Sequence, residues 1–376
     1  MKDTIEFNNI RPQWEAVETL VNEEFKKLHN TAEYILGPSV KEFETAFKDW
    51  NHSLYAVGVS NATDGLELAA RSLNVDKVTV AVYLPANTFI ATFIGIYKAL
   101  PDADYFLIDC DEYFQLNVDL LEQALAKNDN KYEKSIVVPV HLYGCTVDMA
   151  RILELKSKYQ FLIIEDCSQS HGSISSSAHT VGNDGDVSVF SLYPGKNLAA
   201  IGDAGVLTTN TETIYNKLLS LRNLGSTKKY VHEYFSGNHR LDSIQAIVLK
   251  HKLKFIDDWT ENRRNVAKIY HENINNNKIE NFTNPSYCLK NAYHIYPLRS
   301  SEREKFQAYL DREGVPTLVH YPIPFYDSTA LKEFPFKYRS ETRLSDKYSK
   351  TVLSIPMHPF MSKEQVNTVV DVINQY

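Results

Sequence analysis

The chain has 376 residues, a formal net charge of −7 and 43% hydrophobic residues, enough for a sizeable core divided between two lobes. Its 40 Lys+Arg against 47 Asp+Glu, with no basic run, exclude the electrostatic footprint of a nucleic-acid or anionic-membrane binder, and a small molecule is the expected partner. The 4 cysteines, Cys110, Cys145, Cys167 and Cys288, lie far apart without a C-x-x-C pair, so neither a zinc site nor a disulfide framework is expected, and a reducing cytoplasm fits.

The N-terminus MKDTIEFNNIRPQ has no apolar core of the kind a signal peptide needs. The N-x-[ST] matches at Asn51, Asn61 and Asn281 are therefore expected to be chance. From Tyr55 to Asn210, β-rich runs alternate with helical patterns: YAVGVS before DGLELAARSL, VTVAVYLP before IGIYKAL, and SIVVPVHLYG before MARILELKSKY. FLIIED, DVSVFSL and GVLTTN follow. Continuous apolar runs separated by helices predict a mostly parallel sheet buried on both faces, an α/β architecture. The most apolar segment, VTVAVYLPANTFIATFIGIYKAL, is broken by Pro85, Asn87 and several threonines and does not read as a membrane span. After Thr211 the helical stretches lengthen, as in IQAIVLKHKLKFIDDWTENRRNVAKIYHENI. Short runs such as HIYPLRS and TVLSIP come next, with Pro316, Pro322 and Pro324 marking loops. The expected organisation is a large α/β lobe over 1–245, including the N-terminal helical segment, and a smaller α+β lobe over 246–376.

In an open α/β sheet, ligands bind beyond the carboxyl ends of the strands, so the residues after each apolar run carry the functional question. In GVSNATDGLELAARSL a small-residue turn opens a helix, where free N–H groups, the helix dipole and the Thr63 hydroxyl suit a phosphate. An ordinary N-cap is the alternative there. In VYLPANTFIATF, Phe89 stands past a strand and can stack on a planar ligand or simply pack in the core. In FLIIEDCSQSHG, Asp166 ends a buried strand and requires a cation, either a structural partner or a protonated ring nitrogen. Gln169 and His171 follow closely enough to line the same crevice, although a lone histidine is more often a scaffold residue. In DVSVFSLYPGKNLAAIGDAG, Lys196 leaves a buried run after a short turn. It is either a surface cation or a desolvated amine able to attack a carbonyl. Phosphate cradle, stacking ring, carboxylate and nucleophilic amine together match pyridoxal phosphate. No G-x-G-x-x-G follows a strand to support a nicotinamide cofactor.

The motifs SNATDGLELA, LPANTFIAT, VPVHLYG, EDCSQSHG, SLYPGKNLAAIGDAG, GNHRLDSIQA, HYPIP and LSIPMHP are collinear over nearly the whole chain. In order and spacing they resemble the pyridoxal-phosphate sugar-nucleotide aminotransferases of the DegT/StrS group. The resemblance implies the fold type I, aspartate aminotransferase-like architecture. It implies that Lys196 holds the cofactor and shuttles the proton, and that Asp166 keeps the ring nitrogen protonated. Phe89 would stack on the ring, Gln169 would approach its hydroxyl, and Ala62, Thr63 and Ser191 would meet the phosphate. Asn238 would reach that phosphate from the second subunit of an obligate homodimer. Tyr193, His320 and Tyr321 would face the sugar nucleotide. No metal is implied.

Two positions depart from the family pattern: alanine stands at Ala62 and Ala199, where glycine is usual, and is tolerable if φ is negative there. Relatives that dehydrate or deoxygenate sugars carry histidine at the position of Lys196, so the lysine favours amino transfer. Asp203 and Ala204 in GDAG resemble enzymes acting on a dTDP-linked 3-keto-6-deoxyhexose, with L-glutamate as amino donor and a surface polysaccharide such as O-antigen as destination. A 4-keto substrate linked to dTDP or UDP is the alternative, and a non-catalytic regulatory protein on the same fold is a third reading.

Overall fold

Three helices, α1 (Arg11–Glu15), α2 (Glu18–Thr31) and α3 (Pro38–Asn51), precede the first strand in the computed structural model, which describes residues 4–75, 77–337 and 343–376. Then come β1 (Tyr55–Val59), α4 (Ala62–Ser72), β2 (Val80–Pro85), α5 (Ile90–Ala99), β3 (Asp104–Ile108) and α6 (Val118–Lys127). They are followed by β4 (Lys134–Val137), α7 (Met149–Tyr159), β5 (Leu162–Asp166), β6 (Ile174–Ser175), β7 (Val187–Ser191), β8 (Gly205–Thr209) and α8 (Glu212–Leu221). The main sheet has 7 strands in the order β1-β8-β7-β5-β4-β2-β3. Only β8 runs against its neighbours, β1 and β7. The mostly parallel, mixed sheet expected from the sequence is therefore present.

The strands are apolar throughout because both faces are covered. Val82, Leu84, Ile164 and Val189 pack with α4 and α5 through Leu66, Ala69, Phe93 and Ile96. Their neighbours Tyr83 and Ile163 point the other way, against Leu121 of α6 and Ile152 of α7. That alternation is the two-residue period of a strand expressed in a sheet with helices on each side.

After a hairpin of β9 (Ser226–Lys228) and β10 (Val231–His232), the long helical stretch divides into α9 (Ser243–Lys252) and α10 (Ile256–Asn273) at a short 3-10 turn. The rest comprises β11 (Cys288–Lys290), β12 (Tyr296–Arg299), α11 (Arg303–Arg312), α12 (Leu344–Thr351), β13 (Val352–Ile355) and α13 (Lys363–Gln375). β12 and β13 pair antiparallel. Tyr270, Leu298, Phe306, Leu353 and Ile373 form a core here that also takes in Phe114 and Tyr143 from the loops beyond β3 and β4. Ile5, before the first helix, packs on the same core.

The strand period also separates the adjacent acids at the end of β5. Glu165 is fully buried and accepts from the N–H groups of Gly182 at 3.0 Å and Asp184 at 2.9 Å, from that of Gly185, and from Ser188 Oγ at 3.1 Å. His141 Nε2 lies 3.2 Å away. Burial alone would raise the Glu165 carboxyl, but the hydrogen bond and charge of His141, with the Gly182 and Gly185 N–H groups, hold it below the usual range. This carboxylate organises the loop leading into β7. Glu165→Ala strands those donors in the interior, and a loss of roughly 3–5 kcal/mol in urea-unfolding free energy is expected, against under 1 for surface changes. A variant as stable as wild type would show that the loop holds itself together.

Candidate active site

The carboxyl ends of β2, β5 and β7 and the first turn of α4 open on one cavity of about 650 Å3. Ala62 and Thr63 line it from the first turn of α4, where N–H groups have no acceptor within the helix. Asn61 caps that helix, its side chain accepting from Asp64 N at 2.8 Å. The ordinary cap and the free N–H groups thus coexist. A Cβ on Gly205 would stand 2.8 Å from the Asn61 carbonyl carbon and 3.0 Å from Ala62 N, so the start of β8 lies directly against this turn. Neither Ala62 nor Ala199 has a positive φ, which removes the steric objection to alanine at both positions.

Phe89 precedes α5 and is 51% exposed at the cavity, with its ring centroid 5.3 Å from that of Tyr321. It is a cavity wall rather than a core residue. Across from it, Asp166 accepts from Thr92 Oγ1 at 2.8 Å and from Ser168 N at 3.1 Å, which fixes the carboxylate in place. Gln169 accepts from Tyr143 N at 2.6 Å and donates to the Tyr321 hydroxyl at 3.2 Å. His171 does not line the cavity; it is buried behind it, 5.4 Å from the ring of Phe190. Burial, and then the charge of Lys196, push the His171 imidazole down to about 3, so the ring is neutral.

Ser191 lines the cavity from the end of β7, and Tyr193 and Lys196 line it from the turn that follows, which is closed by Lys196 N donating to Tyr193 O at 2.8 Å. Desolvation by burial lowers the Lys196 amine to about 8, with the charge of Asp166 opposing the shift. A turn that reads as a surface loop delivers a desolvated amine because Leu192, Leu198 and Ala200 on either side are buried in the core. His320 lines the wall nearby with Nδ1 2.9 Å from Ser354 Oγ, and burial followed by the Lys196 charge lowers it to about 4. Of the eleven residues that the resemblance assigns to the site, ten thus meet in one cavity. Asn238 does not: it sits outside the cavity of its own chain, its backbone bridged to Asn223.

Several wall residues escaped sequence reasoning. Thr92, which fixes Asp166, lies within the quoted LPANTFIAT and was findable as a hydroxyl one helical turn from Thr88, 2.8 Å away. Phe7 and Asn8 carry no local signal, yet Asn8 Nδ2 donates to Gly195 O at 3.2 Å beside the lysine. His294 arrives from the connection between β11 and β12, and Met357 from the segment after β13.

The cavity has the groups that pyridoxal 5'-phosphate requires. Free N–H groups and two hydroxyls suit the phosphate, an exposed aromatic face the ring, a fixed carboxylate the ring nitrogen, and a desolvated amine the aldehyde.

Comparison with known proteins agrees. The model of the DegT/DnrJ/EryC1/StrS aminotransferase family matches residues 16–374. The dTDP-3-amino-3,6-dideoxy-alpha-D-galactopyranose transaminase of Aneurinibacillus thermoaerophilus is 36% identical over 91% of this chain and 91% of its own. GDP-perosamine synthase of Escherichia coli O157:H7 is 28% identical over 90% of each chain. The crystal structure of a DegT DnrJ EryC1 StrS aminotransferase from Brucella abortus superposes with a TM-score of 0.90, 29% identity and 99% coverage of both chains. The chain therefore belongs to the DegT/DnrJ/EryC1/StrS aminotransferase family and is a pyridoxal-phosphate-dependent transaminase.

Proposed function

We propose that this enzyme transfers the amino group of L-glutamate to C3 of a dTDP-linked 3-keto-6-deoxyhexose, giving a 3-amino-3,6-dideoxyhexose for a surface glycan such as O-antigen, in the cytoplasm. Amino transfer rests on one observation: the Lys196 amine, lowered to about 8, and the fixed Asp166 carboxylate face one cavity. The sugar is supported by the 36% identity to a dTDP-3-amino sugar transaminase and by Asp203 and Ala204, which line the same cavity. The 4-keto and UDP- or GDP-linked substrates are the competing reading, with the GDP-perosamine synthase similarity as its support.

When bound, the cofactor supplies an electron sink for the carbon that exchanges its amino group. Around it, Lys196 is the covalent anchor and the base that carries the proton. Asp166 holds the ring nitrogen protonated, and Phe89 excludes water from one face. The N–H groups of Ala62 and Thr63, with the Thr63 and Ser191 hydroxyls, hold the phosphate. Gln169, already bonded to the Tyr321 hydroxyl, is placed toward the ring hydroxyl, and Tyr193, His320 and Tyr321 form the sugar side.

The homodimer is part of the same reading. Asn238 lies outside its own cavity, a few residues beyond Tyr230 at the tip of the β9–β10 hairpin and Phe235 after it, which are 84% and 93% exposed. Those rings suit burial against a second copy, with Asn238 completing the partner's phosphate site. For the chain itself we propose the division 1–245 and 246–376, with α9 remaining packed on α2 and α3.

Separate incubation with L-glutamate and 3-keto or 4-keto sugars, each linked to dTDP, UDP or GDP, tests the specificity. Turnover is expected with the dTDP 3-keto sugar. Product from 4-keto sugars alone overturns the C3 assignment, and a colourless protein that takes up no cofactor overturns catalysis altogether.

A further inference from the structure

His294 lies on the cavity wall, and two contacts fix which of its nitrogens carries the proton. Asn197, the residue after the lysine, is buried, and its Nδ2 donates to the carbonyl oxygen of Ala292 at 3.0 Å. A carbonyl can only accept, so the amide group of Asn197 must face it and the Oδ1 must face the other way. That oxygen lies 3.2 Å from His294 Nδ1. Oδ1 is itself an acceptor, so Nδ1 carries the hydrogen. Burial, followed by the charges of Lys196 and Arg263, keeps the imidazole well below its usual range and therefore neutral. A neutral ring with hydrogen on Nδ1 has a bare lone pair on Nε2. Nε2 has no protein partner among the described residues.

The ring is also held from behind. Arg263 is buried and donates to the carbonyls of Tyr293 at 3.2 Å, His294 at 3.3 Å and Met357 at 2.8 Å. Both the backbone and the proton of His294 are thus set before any substrate arrives.

We propose that His294 is a substrate-binding residue whose Nε2 accepts a hydrogen bond from a hydroxyl of the keto sugar. The assignment rests on the sugar-nucleotide reading above. The choice between the two substrates follows from their chemistry. L-Glutamate presents two carboxylates, which only accept and which a bare lone pair repels, and its single donor, the amino group, is the group given up to the cofactor. A hexose presents hydroxyls, which donate. Among the described residues of this chain that line the cavity, Lys196 is the only lysine or arginine, so no second cation lines the wall to bring a carboxylate to the His294 lone pair.

The test separates the two half-reactions in the holoenzyme, followed by the change in cofactor absorbance with L-glutamate and then with the keto sugar. His294→Asn keeps a short side chain able to meet Asn197 but removes the acceptor at the Nε2 position, and His294→Gln restores an amide at that reach. The Asn variant should lose about tenfold more in kcat/KM for the sugar half-reaction than for the glutamate half-reaction, as a lost neutral hydrogen bond predicts. The Gln variant should recover part of that difference. Equal losses in both half-reactions, no loss in either, or a Gln variant no better than Asn each overturn the assignment. A wild-type enzyme inert to every nucleotide-linked keto sugar overturns the functional reading instead, and this one with it.

Discussion

Lys196→Ala is expected to lower kcat by at least about 1,000-fold, because the substitution removes the group proposed both as covalent anchor and as proton carrier. The protein should fold and still bind cofactor through the first turn of α4 and Asp166, so loss of activity with retained binding is the signature. Borohydride should fix no label to the variant, whereas wild type is trapped at this residue. Residual turnover within tenfold of wild type would show that another group moves the proton. The lowered amine gives the same residue a pH test. In cofactor-free protein the neutral amine is the nucleophile, and burial brings its titration down to about 8. The rate of borohydride-trappable cofactor uptake should therefore rise between about pH 7 and 9 and level off above, whereas an ordinary lysine would still be rising near 10. A rate still climbing steeply from pH 9 to 10 would place the amine in water and away from the cavity wall.

Asp166→Asn carries the second largest effect, a fall in kcat of about 100- to 1,000-fold. The amide preserves the shape of the side chain and can still meet Thr92 and Ser168, so packing is retained while the negative charge is lost. A neutral amide cannot hold a ring nitrogen in its protonated form, and the electron sink weakens in proportion. Cofactor should remain bound, with its absorbance altered, because the phosphate contacts lie on a different element. Asp166→Asn activity within tenfold of wild type would show that the carboxylate serves the sheet rather than the ring. The neighbouring Glu165 provides an internal comparison. It sits one residue earlier on the same strand, faces the opposite side, and is expected to affect stability instead.

This contrast shows where the sequence is legible. Strand ends are local features, so Phe89, Asp166 and Lys196 stand out from a few flanking residues, and the alternating sides of β5 assign Glu165 and Asp166 to different tasks. The α/β lobe was equally readable, since two-sided burial writes itself as unbroken apolar runs. Contacts between distant segments leave no such mark. Asn8 meets Gly195 across a separation of 187 residues, and His294 meets Asn197 across 97. Asn197 carries no signal in the sequence beyond standing next to Lys196, although its side chain meets a wall histidine. The break between α9 and α10 was hidden as well, because LKF is as compatible with a continuous helix as with the 3-10 turn it adopts. His171 looked like a wall residue from its spacing, yet it packs behind the wall, since proximity in sequence to a strand end does not decide which side of a turn a ring takes.

The hairpin of β7 and β8 has a consequence for engineering by chimera. Ser191 ends β7, Tyr193 and Lys196 occupy the connection between these strands, Asp203 and Ala204 close it, and Gly205 begins the strand pressed against the first turn of α4. The residues proposed as anchor, phosphate contact and sugar wall thus travel on one short piece of chain. On that reading, exchanging the whole piece between relatives should transplant nucleophile and substrate preference together and keep them in register. Exchanging only its second half leaves one enzyme's lysine turn to be closed by another's loop.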